Sequence, residues 1–214
     1  MLTYRIGKDG IILEKLIDMF QNLKLYLISN SPRRKSILED VGISPMIGKV
    51  EVEENYPSTL SIIKAPAYLA AKKVKAFQNS LEFDADNYWF LGADTMVIFD
   101  GKELGKPATE SEAKEILKVL SGREHQVVTG FYLSKGKHIF QGESVTNVVF
   151  KTLSDEMITH YIQKYQPYDK AGAYGIQEWI GKVGIEKIEG DFYGVMGLPV
   201  SMIIEKIIAI EEEN

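Results

Sequence analysis

The chain has 214 residues, 45% of them hydrophobic and 26% charged, with a net charge of −5 and a pI near 5.4. That is room for one large domain or two small lobes, and the acidic balance argues against bulk attraction to nucleic acid or an anionic membrane while allowing a local basic pocket. Cysteine is absent, which removes disulfides, thiolate metal sites and cysteine nucleophiles together and is compatible with a reducing cytoplasm.

The N-terminus lacks a basic region followed by an apolar core and a cleavage site. No apolar stretch approaches the roughly 20 residues that span a bilayer. Residues 11–20, Ile-Ile-Leu-Glu-Lys-Leu-Ile-Asp-Met-Phe, read as a short amphipathic helix. Residues 1–22 are therefore an expected helical extension, either packed on the domain or an appendage, with no chemistry of their own.

Lys24 to Ile28 is strand-like and Lys35 to Asp40 helical, and between them stands Ser29-Asn30-Ser31-Pro32-Arg33-Arg34. Pro32 suits a first helical position, where its missing N–H costs nothing. Free backbone N–H groups and the helix dipole favour an anion at such a turn, and arginine adds a fork of donors matched to phosphate oxygens. Ser29, Ser31, Arg33 and Arg34 are thus candidates for a phosphate-bearing ligand. The same hexapeptide also suits a capped, solvated helix start.

Gly42 reads as the end of that helix, and Pro45 to Val52 looks extended, leading to Glu53 and Glu54. A lysine-rich helix follows from about Pro66 to Phe77, then a polar break from Asp84 to Asn87. Tyr88 to Ala93 is a continuous apolar run, as in a central strand buried on both faces, and it is expected to end at Asp94-Thr95. Residues 96–99 continue extended, and Asp100-Gly101 reads as a hairpin turn.

Thr109 with Glu112 forms a capping box opening a helix that ends at Leu120-Ser121-Gly122. His125 to Leu133 and His138 to Phe150 are two long strand candidates joined near Lys135-Gly136. Ser154 caps a helix ending before Pro167. A glycine-rich loop spans 169–177, a strand covers Val183 to Ile188, and Pro199 starts a C-terminal helix ending in Glu211-Glu212-Glu213. The interleaving of strands and helices around a long hairpin predicts a mixed α/β fold.

Asp94 is the second candidate of interest, because α/β folds place ligands at strand ends. A carboxylate there needs a cation, donors or a metal. With Glu53 and Glu54 available from another loop it suits a hard oxygen site for Mg²⁺ or Mn²⁺. An aspartate capping a turn is the alternative. Lys106, in Leu104-Gly105-Lys106-Pro107, and Lys73, mid-helix, gain meaning only by converging with Asp94 and the arginines. Gln177 offers both a donor and an acceptor for a base edge. No dinucleotide fingerprint, Walker A loop, zinc-spaced histidine set or nucleophile elbow occurs.

Taken in order, these motifs resemble the Maf family of nucleoside triphosphate pyrophosphatases: residues 29–34, Gly92-Ala-Asp-Thr95, Leu104-Gly-Lys-Pro107, Leu120-Ser-Gly122 with His125 and Thr129-Gly130, residues 169–177, Glu189-Gly190 and Gly197-Leu-Pro199. The likeness runs from about Leu25 onward, so residues 23–214 would form the Maf-like domain. It implies a long, bent mixed sheet flanked by helices, with two lobes around a cleft, similar to inosine triphosphate pyrophosphatases. It implies cleavage between the α- and β-phosphates with a divalent metal, and Asp94 as proton acceptor. Arg33, Thr95 and Gln177 match the positions tied to substrate choice, in the form carried by the branch that prefers dTTP and UTP.

On that reading Glu54 and Asp94 hold the metal. Ser29, Ser31, Arg33, Arg34, Lys73 and Lys106 bind the phosphates, and Thr95 and Gln177 bind the pyrimidine. The resemblance also implies a homodimer with a house-cleaning role in the nucleotide pool; the net charge and the lack of a basic, aromatic-studded surface or a spanning stretch argue against nucleic acid and membrane, and a cytoplasmic location is expected. Competing readings are a non-enzymatic regulator of septum formation and a 7-methyl-GTP pyrophosphatase. Two departures stand out: Glu178-Trp179-Ile180 follows Gln177 where the family often has glycines, and Tyr193-Gly194 replaces a more typical pair.

Overall fold

A computed structural model describes residues 11–82 and 85–212. Residues 1–10 of the expected extension, Asp84 of the polar break and Glu213 at the expected helix end lie outside them. The elements run α1 (Ile11–Asn22), β1 (Leu25–Ile28), α2 (Pro32–Asp40), β2 (Met46–Gly48), α3 (Ala65–Gln78), β3 (Trp89–Phe99), β4 (Lys102–Leu104) and α4 (Glu110–Leu120). They continue with β5 (Glu124–Lys135), β6 (His138–Phe150), α5 (Asp155–Tyr165), two 3-10 turns at Pro167–Asp169 and Ala171–Ala173, α6 (Trp179–Gly184), β7 (Ile185–Glu189), α7 (Phe192–Met196) and α8 (Val200–Glu211).

One seven-stranded mixed sheet carries the chain, in the order β2-β1-β3-β5-β6-β7, with β4 also pairing with β3. β1 runs parallel to both β2 and β3, and the other pairings are antiparallel. The turns have the chemistry the sequence requires. Asp100 and Gly101, with φ of 51° and 73°, close the β3–β4 hairpin with the left-handed backbone that a tight two-residue turn demands. Thr109 caps α4 by accepting the Glu112 N–H, and Ser154 caps α5 by accepting the Met157 N–H.

The apolar run that begins at Tyr88 does not end at Asp94. β3 continues to Phe99, because β5 pairs with it from Phe90 to Ile98. Its parallel neighbour β1 is what stops: the last matched pair is Ile28 with Gly92. Asp94 is therefore mid-strand in β3, two residues past the point where the sheet loses a strand on one side. A cleft opens there in a sheet that is otherwise continuous.

Core packing follows the two faces of β3. Trp89, Leu91 and Ala93 join a cluster with α2 and α8, to which α1 adds Phe20, while Val97 joins a second cluster under α4 and α5. On the opposite face Phe90, Met96 and Ile98 pack toward α3. α1 is thus seated on the domain by Leu16, Met19 and Phe20. Two short helices, α6 and α7, occupy stretches not marked as helical in the sequence, and α6 takes Val183 and Gly184 from the expected strand, which begins at Ile185. Each is only five or six residues long, too short for a helical periodicity to emerge.

Helix α3 lies close against the sheet at two glycines. A Cβ on Gly130 would stand 2.0 Å from the Ala67 backbone nitrogen, and one on Gly92 would stand 2.7 Å from the Ala70 carbonyl oxygen. Gly130 is the β5 partner of Asp94. Replacing Gly130 with alanine must push the helix off the strand. Gly130→Ala is expected to cost about 2–4 kcal/mol, read as a lower urea midpoint; an unchanged midpoint would mean that α3 does not sit so close.

Candidate active site

Every residue singled out from the sequence as a ligand contact lines one cavity of about 450 Å³: Ser29, Ser31, Arg33, Arg34, Glu54, Lys73, Asp94, Thr95, Lys106 and Gln177. They reach it from four directions. The β1–α2 turn supplies the serines and arginines, the segment after β2 supplies Glu54, α3 supplies Lys73, and β3 with the loops at 105–107 and 169–177 supplies the rest.

Pro32 opens α2, so the first-turn N–H groups at the cleft wall lack helical partners. Ser31 makes no side-chain capping bond. The Ser29 hydroxyl accepts from the Ser31 N–H (3.2 Å) and from Arg34 (2.9 Å). Both its lone pairs are then engaged, and its own O–H is left to donate to a ligand.

Arg34 is a bracket as well as a cation. Its Nε donates to the Gly197 carbonyl at 2.8 Å, and its two terminal nitrogens donate to Ser29 and, at 3.1 Å, to the Thr95 hydroxyl. Burial lowers its pKa, opposed chiefly by Asp94. From Thr95 the bonds continue with a fixed direction. Thr129 donates to the Gly194 carbonyl at 2.7 Å, so the 2.8 Å contact between the two threonines must be a donation from Thr95. Thr95 therefore offers the cleft only an acceptor.

Successive residues of a strand face opposite sides of the sheet, and Asp94 accordingly meets α3 instead. Lys73 lies between two carboxylates, 2.7 Å from Asp94 Oδ1 and 2.8 Å from Glu54 Oε1. The hydrogen bond from Lys73 holds Glu54 below its ordinary pKa. Lys106 forms no hydrogen bond or ion pair with the other described residues, and it borders both the main cavity and a smaller one of about 160 Å³ beside Asp94. Glu103 borders the smaller space; burial, then Asp94 and Glu54, raise its pKa.

No cluster of three or more histidine, aspartate or glutamate side chains suited to a metal occurs among the described residues. Glu54 and Asp94 offer two hard oxygen donors, which fits Mg²⁺ when water and ligand phosphates complete the shell.

The 169–177 loop closes the cleft. Gly172 and Ala173 both have positive φ (68° and 58°), and the Gly172 N–H donates to the Gly105 carbonyl at 3.1 Å, tying this loop to the one that carries Lys106. Arg33 donates to Asp169 Oδ2 at 2.8 Å. Gln177 Oε1 is buried without a hydrogen-bond partner. Asp169, Lys170, Thr129 and the Gly197 carbonyl were not singled out from the sequence. Asp169 and Lys170 stood within a quoted motif, but nothing local shows that Asp169 pairs with a residue 136 positions away.

Behind the loop, His125 is buried, 2.8 Å from the Tyr174 hydroxyl and stacked on Phe150 at 5.5 Å. Burial keeps the Tyr174 phenol protonated. It also depresses the His125 pKa from 6.5 to about 4.

A family model described as Maf-like protein matches residues 24–210. A dTTP/UTP pyrophosphatase from Cytophaga hutchinsonii is 44% identical over 191 residues, covering 89% of this chain and 86% of the relative. The protein of the same name from Porphyromonas gingivalis strain W83 is 42% identical over 93% of this chain and 100% of its own. That from Phocaeicola vulgatus is 42% identical over 90% and 98%.

The depressed His125 pKa has a signed consequence. The unfolded chain takes up the histidine proton below pH 6.5 while the folded state resists it down to about 4, so stability falls as pH drops through that window. The full effect is about 3 kcal/mol at pH 4. Urea midpoints of wild type and His125→Gln, which retains a group able to bond Tyr174, should converge between pH 7.5 and 4.5. A constant gap would show that His125 does not titrate with folding.

Proposed function

The chain belongs to the Maf family, and from that membership we propose that it hydrolyses nucleoside triphosphates, dTTP and UTP preferred, to the monophosphate and pyrophosphate. What carries the reading is one cleft in which an arginine–serine helix start faces a lysine held between two carboxylates. Relatives more than 40% identical over most of the chain bear the name dTTP/UTP pyrophosphatase.

In this reading the triphosphate lies along the α2 start, with Ser29, Ser31, Arg33 and Arg34 as donors and Lys73 and Lys106 as further cations. A divalent ion, Mg²⁺ or Mn²⁺, held by Glu54 and Asp94, neutralises phosphate charge when bound. Asp94 Oδ1 is engaged by Lys73, and its other oxygen is available to orient and deprotonate a water. The water attacks the α-phosphorus, the bond from that phosphorus to the bridging oxygen breaks, and pyrophosphate leaves with the electron pair. Positioned cations stabilise the charge that develops on it.

Thr95, confined to accepting, and Gln177, with its unpartnered oxygen, suit the N3–H of thymine or uracil, which cytosine lacks. No helix among the described residues is long and apolar enough to cross a membrane. A cytoplasmic homodimer clearing the nucleotide pool without contact to nucleic acid completes the proposal. The net charge of −5 supports the last point, and the half-exposed Phe192 and Tyr193 offer apolar surface for a second subunit.

Pyrophosphate release by purified protein tests the reaction, using dTTP, UTP, CTP, GTP and 7-methyl-GTP with Mg²⁺, Mn²⁺ or chelator. Metal-dependent turnover of dTTP and UTP is expected, with a loss of at least about 10²-fold in a folded Asp94→Asn variant. Preferred cleavage of 7-methyl-GTP would overturn the base assignment. No turnover of any nucleotide would favour the regulatory reading.

A further inference from the structure

Lys170 is buried with only 7% of its surface exposed, between two carboxylates: Asp169 Oδ1 at 2.7 Å and Glu178 Oε1 at 3.3 Å. Each carboxylate has a second commitment. Asp169 Oδ2 accepts from Arg33 at 2.8 Å. Glu178 Oε2 accepts from the hydroxyl of Tyr161, a fully buried side chain whose phenol is kept protonated by burial and by Glu178 itself. The Tyr161 oxygen in turn accepts the Gly175 N–H at 3.0 Å.

The Glu178 N–H donates to the Gly175 carbonyl at 3.0 Å, so Glu178 closes this turn through its backbone as well as its side chain. A Cβ on Gly175 would stand 2.8 Å from the Glu178 carboxyl carbon and would have to displace that carboxylate. Gln177 sits inside the closed turn. Arg33 on one wall of the cleft and Gln177 on the other are therefore both referenced to a single carboxylate.

We propose that Glu178 is a positioning residue for the nucleoside triphosphate. Through Lys170 and Asp169 it aims Arg33, and through Tyr161 and the Gly175 turn it aims Gln177, so that phosphate and base contacts are held at a fixed separation. This rests on the cleft taking a nucleoside triphosphate. Simple electrostatics predicts the reverse effect, since removing an anion from a phosphate site would tighten binding.

Steady-state kinetics with dTTP and CTP on wild type, Glu178→Gln and Tyr161→Phe separates the two. For both variants KM for dTTP is expected to rise about tenfold with kcat within about threefold, and the preference for dTTP over CTP to shrink. Loss of stability alone would leave KM and the base preference of the folded fraction unchanged. Glu178→Gln should add little to Arg33→Lys, because both loosen the same contact. A lowered or unchanged KM, or additive effects in the double variant, overturns the proposal.

Calorimetric titration of dTTP into the same variants in the Asp94→Asn background reads the coupling without turnover. If wild type binds dTTP but releases no pyrophosphate, the reaction reading fails while the brace is still tested by affinity. If dTTP does not bind wild type at all, both fall.

Discussion

The seating of α3 on the sheet is the constraint on which this site depends. Lys73 can stand within 2.8 Å of both Asp94 and Glu54 only because Gly92 and Gly130 let the helix backbone come into contact with β3 and β5. Two carboxylates this near each other would repel without a cation between them, and the lysine supplies that charge from the helix. One close approach of backbone to backbone thus brings the two carboxylates together around a single lysine.

The second constraint is the early end of β1. Asp94 and Thr95 are adjacent in β3 and face opposite sides of the sheet, yet both line one cavity, because the neighbouring strand stops at Ile28 and the cleft wraps around the exposed edge. The two faces then divide the chemistry. On one side Lys73, Asp94 and Glu54 form an ion-paired group. On the other, Arg34, Thr95, Thr129 and the Gly194 carbonyl form a line of hydrogen bonds with one direction. Because every hydroxyl in that line has its donor committed, Thr95 presents the ligand with a defined polarity.

Much of the fold was legible in the sequence because the signals were local. The capping residues Thr109 and Ser154, the Asp100-Gly101 turn and the two long strand runs read at 125–133 and 138–150 each announce themselves within a few residues. The end of β3 was misread, because an acidic residue after an apolar run looks like a strand end. The ladder with β5 carries the strand past Asp94 regardless, since pairing outweighs local propensity. The short helices α6 and α7 went unseen because five or six residues contain fewer than two turns.

The sequence by itself determined the chemistry available: two serines and two arginines at a helix start, a carboxylate in an apolar strand, lysines on a helix and in a loop, and a glycine-rich turn ending in Gln177. Their side chains supply cations, hydroxyl donors, a carboxylate and an amide, whatever their arrangement. Only the tertiary structure decided their arrangement. That Arg33 meets Asp169, that Lys73 bridges Glu54 and Asp94, and that Glu178 reaches Tyr161, whose oxygen accepts the Gly175 N–H, are facts about distance. Such contacts join residues far apart in sequence through packing and register, and neither leaves a trace in the spacing of residues along a chain.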